Sequence, residues 1–133
     1  SHYDWIDDEK IIVTAYNQAR ECRYYIYNTN GERTDLLHDI LKEDGHPTWI
    51  GNNKFITDTY PNRYGFQKIL YIDIYQQKIE TLLDIYSSYK IYGEKRCDLH
   101  PRINLMNYDI CFDANVKGNR KLYILRGWRP ENE

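Results

Sequence analysis

Glycine, proline, cysteine and methionine are all scarce in this 133-residue chain, which has seven, four, three and one of them. None of the seven glycines belongs to a phosphate-cradling loop, so nucleotide chemistry has no foothold. A GxSxG elbow, an HExxH helix and an EF-hand loop are also missing, which argues against the hydrolase, metalloprotease and calcium-sensor chemistries those motifs support. Cys22, Cys97 and Cys111 form no CxxC pair, so a zinc cage is not indicated, and their odd number requires no disulfide framework. They read as free thiols acting as small hydrophobes, which fits a reducing compartment. No apolar run is long enough to cross a membrane as a helix, and nothing near Ser1 reads as a signal peptide. A periplasmic or secreted location would require a signal sequence removed ahead of Ser1. The formal charge of −2 comes without a basic stripe, which argues against a nucleic-acid partner.

Tyrosine, by contrast, is abundant, with 14 copies. It favours pleated, half-buried surfaces and tolerates one wet end, so strands are expected. A repeat organises them. His2-Tyr3-Asp4-Trp5 is matched by His46-Pro47-Thr48-Trp49, and His100-Pro101-Arg102 opens a third copy. Polar turns follow, Asp7-Asp8-Glu9-Lys10 and Gly51-Asn52-Asn53-Lys54, and then alternating strands. These are Ile11-Ile12-Val13-Thr14, Phe55-Ile56-Thr57-Asp58 and Tyr108-Asp109-Ile110-Cys111-Phe112-Asp113. Trp5 to Thr14 and Trp49 to Asp58 span the same number of positions, while Ile103 takes the Trp place in the third copy. Second strands follow at 23–27, 68–73 and 120–125, and third strands at 33–37 and 78–83.

A repeat of roughly 40–50 residues built from short strands is the signature of a β-propeller. Helical solenoids can share that period, but these segments alternate with period 2 and are rich in β-branched and aromatic residues. The expected fold is all-β: three four-stranded antiparallel blades over about 1–44, 45–96 and 97–133, forming one partial domain and an incomplete ring. Trp5 and Trp49 are expected to pack between adjacent sheets. Three blades leave two faces uncovered, and repeat units need neighbours on both sides. The abrupt opening at His2 and the charged ending 129–133 favour the C-terminal half of a longer propeller, with two copies meeting as six blades the alternative.

The pattern His-Pro-x-Trp, turn, strand ending in Asp, then Lys68-Ile69-Leu70-Tyr71-Ile72-Asp73 resembles the blades of TolB-like propellers. The stretch 96–102 with Ile110-Cys111-Phe112-Asp113 after it is most similar to the oligogalacturonate-lyase-like branch. The usual Trp-Ser-Pro-Asp-Gly turn is replaced by Trp49-Ile50-Gly51-Asn52-Asn53. The resemblance implies a divalent metal, manganese or calcium, held by histidine and a side-chain oxygen, with an acidic sugar as substrate.

In a propeller the loop entering each blade faces the central channel, so His2, His46 and His100 should converge at its mouth. Imidazole is a common metal ligand and a general base near neutral pH, making His46 and His100 the candidate metal ligands. Asp98, two positions before His100, would supply a hard oxygen. Asp58 and Asp113 end equivalent strands and, with Tyr60, suit the binding of sugar hydroxyls, although an Asp at a strand end is also an ordinary cap. Arg102 and Arg63 suit pairing with a sugar carboxylate, or simple solvation. The longer connection at 87–95 reads as a rim loop or an outer linker, and His38 has no equivalent in the other copies. Two functions follow. The first is a non-catalytic or enzyme-associated propeller that binds an oligosaccharide or a protein at its mouth. The second is a metal-dependent lyase or hydrolase acting on acidic polysaccharide.

Overall fold

A computed structural model of the chain describes residues 1–37, 40–87 and 96–131. No helix forms among the described residues; the chain folds into three antiparallel sheets. The first holds β1 (His2–Trp5), β2 (Lys10–Tyr16), β3 (Cys22–Asn28) and β4 (Arg33–Asp35). The second holds β5 (Thr48–Gly51), β6 (Lys54–Asp58), β7 (Phe66–Asp73) and β8 (Lys78–Tyr86), and the third β9 (Arg102–Ile103), β10 (Ile110–Val116) and β11 (Asn119–Leu125). Each sheet is a meander in which consecutive strands pair. Local turn chemistry sets the hairpins. Asn52 and Asn53 close β5–β6 with φ of 51° and 58°, and Lys117 and Gly118 close β10–β11 with φ of 56° and 84°. Two successive left-handed residues match the twist of the flanking strands, and Asn and Gly adopt that conformation most cheaply.

The second sheet shows how the sheets stack. Along β6 and β7, successive side chains point to opposite faces. Phe55, Leu70 and Ile72 join Ile12 and Tyr24 of the first sheet, with Leu37 and Leu41 filling the space between. Ile56, Ile69 and Tyr71 point the other way, to Leu99, Ile110, Phe112 and Ala114 on the side of the third sheet. Both faces of this sheet are therefore core, and each fully buried side chain contributes roughly 1.5–3 kcal/mol relative to exposure. The opening strands also adjoin: β5 touches β1 on one side and β9 on the other.

Across the first junction the Tyr24 hydroxyl meets Thr57 Oγ1 at 2.8 Å, both side chains being buried. Burial pushes the Tyr24 phenol well above its ordinary pKa, so it stays a neutral hydrogen-bonding group. Tyr24→Phe should lower stability by about 1–2 kcal/mol, because it strands a buried hydroxyl while leaving the ring contacts in place. A lower urea midpoint at unchanged slope would register that loss.

Three sequence expectations need correction. The third sheet has three strands among the described residues, not four. After β11 the chain turns back at Arg126–Gly127, and Trp128 packs on Tyr71 of the second sheet at 5.1 Å. The third strand of the first copy is short, because Leu36 and Leu37 leave it to enter the core. Trp5 is 58% exposed. Its counterpart Trp49 faces the first sheet and stacks on Phe55 at 6.4 Å, whereas Trp5 faces away from the second sheet, where no further sheet among the described residues covers it. Cys22, Cys97 and Cys111 are free thiols, and burial, followed by nearby Asp44, pushes Cys22 up to about 11. The sequence assignment to 87–95 falls on residues 88–95 for all but Ser87, and these lie outside the described residues, as does His38.

Candidate functional site

The second and third openings are tied together by one buried carboxylate. Asp58, at the end of β6, is 1% exposed. It accepts the His46 backbone N–H at 2.7 Å and the His100 backbone N–H at 2.9 Å, and both its oxygens lie 2.9 Å from His46 Nδ1. The bond from its N–H helps hold the backbone of His100, whose φ of 45° is left-handed, a conformation that His tolerates better than most residues. Neighbouring contacts repeat the theme. The Trp49 N–H donates to Asp4 at 2.8 Å, Thr48 Oγ1 donates to the Pro101 carbonyl at 2.7 Å, and Arg102 donates to Thr48 Oγ1 and the Pro101 carbonyl.

The result is a row of imidazoles. His2 and His46 have ring centroids 4.0 Å apart, and His46 and His100 have theirs 3.8 Å apart. In each ring Nδ1 meets an oxygen: Asp44 Oδ1 at 3.2 Å for His2, Asp58 for His46, and the Asp98 carbonyl at 3.2 Å for His100. Carboxylates and carbonyls only accept, so these partners place the proton on Nδ1 and leave the Nε2 lone pair available. One cavity of about 220 Å³ is lined by His2, Tyr3, His46, Pro47, His100 and Arg102. A larger one, about 500 Å³, shares Asp44 and Tyr60 with the flank of the row and adds Tyr16, Arg20 and Lys42.

Charge around the row is arranged in layers. Burial alone would raise the Asp44 carboxyl, but hydrogen bonds from Thr14, His2 and Ser1 outweigh it and hold the group below its usual value. Tyr60 stands edge-on to His46 at 5.9 Å and carries the Arg96 guanidinium 4.7 Å from its ring centroid. Burial, and then Asp44 and Asp98, push its phenol up to about 12, so it serves as a neutral donor. Arg96 also holds Asp98, donating to Oδ2 at 3.1 Å, while Oδ1 lies 3.0 Å from Nε without the alignment of a hydrogen bond.

The sequence candidates are thus distributed unevenly. His46, His100 and Asp98 come together, with one ligand atom from each within 4.8 Å of the others. Tyr60 flanks them and Arg102 lines the smaller cavity. Asp58 lies beneath the row, where its oxygens are already taken, so it can act on a ligand only through His46. Asp113 is elsewhere. It alternates with Phe112 on β10 and faces away from the second sheet. Arg63 lies along Tyr64 on an exposed loop, with its guanidinium 4.7 Å from that ring's centroid. The sequence reading missed Asp44 and Arg96. Asp44 had a signal, since Asp44-Gly45-His46 repeats the spacing of Asp98-Leu99-His100. In both cases the acid sits close to the histidine of the preceding copy. No protein-family model, curated protein or solved structure matches this chain.

Proposed function

We propose that the chain is a set of TolB-like β-propeller blades that binds an oligosaccharide at the histidine row without catalysing its cleavage. Sheets stacked in chain order, with their opening strands side by side, support the propeller reading. The observation that carries the binding reading is the row itself, with three imidazoles whose Nδ1 atoms are all engaged. Three available Nε2 acceptors suit the hydroxyls of a sugar, Arg102 suits a carboxylate on it, and the Tyr60–Tyr16 side offers aromatic faces for further residues.

A second reading, a metal-dependent polysaccharide lyase, is favoured by the His46–Asp98–His100 cluster. Two imidazoles and one carboxylate fit a divalent transition ion such as manganese. They do not fit calcium, which takes six to eight oxygens. In such a site His46 and His100 would hold the ion, Asp58 would orient His46, and Asp98 would have to leave Arg96.

Calorimetric titration with an oligogalacturonate and with a neutral oligosaccharide tests both readings. His100→Asn keeps a residue that tolerates the left-handed backbone but removes Nε2. It should weaken oligosaccharide binding at least about tenfold, or 1.4 kcal/mol, with little change in melting temperature. Unchanged affinity would remove the binding reading. Stoichiometric manganese retained by the parent and lost in His100→Asn, together with an unsaturated uronate product, would replace it with the lyase. Binding of a protein but of no sugar would redirect it to a protein ligand.

A further inference from the structure

We infer that the outer face of the first sheet and the outer face of the third are docking surfaces for each other, supplied by a second copy of this chain in a head-to-tail pair. Registers in the first sheet put Tyr3, Val13 and Tyr25 in one row and Trp5, Ile11 and Tyr27 in the next, all pointing away from the second sheet. Tyr3 is 68% exposed and Trp5 is 58% exposed. On the third sheet Cys111 pairs with Ile124 and Asp113 with Leu122, again pointing outward, and Leu122 and Ile124 are 68% and 51% exposed.

The internal junctions show what such faces meet. At each, an apolar face is covered by the next sheet, and a carboxylate on the leading sheet accepts a backbone N–H from the opening of the following one. Asp4 does this for Trp49, and Asp58 does it for His100. Asp113 lies within β10, on the strand equivalent to the one that Asp58 ends in the second sheet. Its carboxylate has no hydrogen-bond or ion-pair partner among the described residues, and it lies beside the exposed Leu122. The leading face of the third sheet therefore presents the same combination, carboxylate plus apolar patch, that engages a sheet opening twice within the chain. On the first sheet, the opening strand β1 carries Tyr3 and Trp5 on the uncovered side, and Trp5 is the equivalent of the residue through which β5 seats on its neighbour.

Tyr3 and Trp5 on one outer face and Leu122 and Ile124 on the other are all more than half exposed, so each face offers apolar surface for the other to bury. Two copies joined in this way bring six sheets together, within the range of closed propellers. The two contacts are then identical and related by the dimer's two-fold axis. Each is heterologous, with different faces meeting.

Analytical ultracentrifugation of the parent chain, Trp5→Glu and Leu122→Glu tests this, with circular dichroism to confirm that each variant is folded. Both altered side chains are exposed in the single chain, so the fold itself should be unaffected. The parent should sediment at twice 16.1 kDa from micromolar concentrations upward. Each variant alone should sediment as a monomer, because every copy then lacks one of the two faces. An equal mixture of the two variants should regain a dimer, because the intact outer face of the third sheet in Trp5→Glu meets the intact outer face of the first sheet in Leu122→Glu. A monomeric parent overturns the proposal. So does a Leu122→Glu dimer, which would mean that like faces meet, or a mixture that stays monomeric.

Discussion

Asp58→Ala should lower the thermal midpoint by roughly 10–20 °C, the largest loss expected from removing any single polar group in this chain. Its carboxylate is buried and takes two backbone N–H donors and the His46 ring at 2.7–2.9 Å. Truncation leaves all three donors in a place water does not reach. Each buried donor left without an acceptor costs roughly 1–3 kcal/mol, and three together cost several, because they keep their desolvation penalty. All three donors belong to His46 and His100, so the change also releases the openings of the second and third sheets. Asp58→Asn should fall between parent and alanine variant. The amide oxygen replaces one acceptor, but its NH₂ confronts a donor. Melting monitored at a far-ultraviolet β-sheet band, with the asparagine variant alongside, gives the test. An alanine variant melting within a few degrees of the parent would show that the clamp does not hold the openings together.

Gly45→Ala should be nearly as damaging, for a steric reason. A Cβ at position 45 would run into the Asp58 backbone carbonyl and would come within 2.7 Å of Thr57 Oγ1 and 2.8 Å of the Tyr24 hydroxyl. None of these atoms is the loose end of a flexible side chain. One is strand backbone, and the other two are hydrogen-bonded to each other across the first junction. Accommodating a methyl group means separating β6 from the segment that carries Asp44 and His46. Overpacking typically costs 1–3 kcal/mol, and here, with backbone on the opposing side, a loss of about 3 kcal/mol or more is expected. Gly31→Ala is the control. Its position has a φ of 90° but open space around it, so only the backbone strain of about 1 kcal/mol should appear. Urea denaturation of the two variants in parallel separates crowding from strain. Equal losses would mean that the close approach at Gly45 relaxes at little cost.

Much of the local architecture was legible from residue order. Alternation in Phe55-Ile56-Thr57-Asp58 and in Lys68-Ile69-Leu70-Tyr71-Ile72 marked β6 and β7, and the Asn52-Asn53 pair marked the turn that opens β6. The recurrence of His2, His46 and His100 marked three positions that the structure does bring into one row. Other readings failed because they depended on neighbours distant along the chain. The spacing of Asp44 from His46 repeats that of Asp98 from His100 and marks the acid, but its partner His2 lies 42 positions away and is set by packing alone.

Period-2 patterning and turn chemistry are local properties, and by themselves they determined that this chain is all-β, where its strands lie and which side chains share a face. Whether a given face is covered is decided by another sheet, so it belongs to the tertiary structure alone. Trp5 and Trp49 hold the same place in the repeat, yet one is exposed and the other packs on Phe55, because only the second has a sheet in front of it. Asp58 and Asp113 likewise lie on equivalent strands, Asp58 at the end of β6 and Asp113 within β10. One is a buried clamp with three donors and the other faces outward, since a carboxylate's role is set by the donors that packing delivers to it.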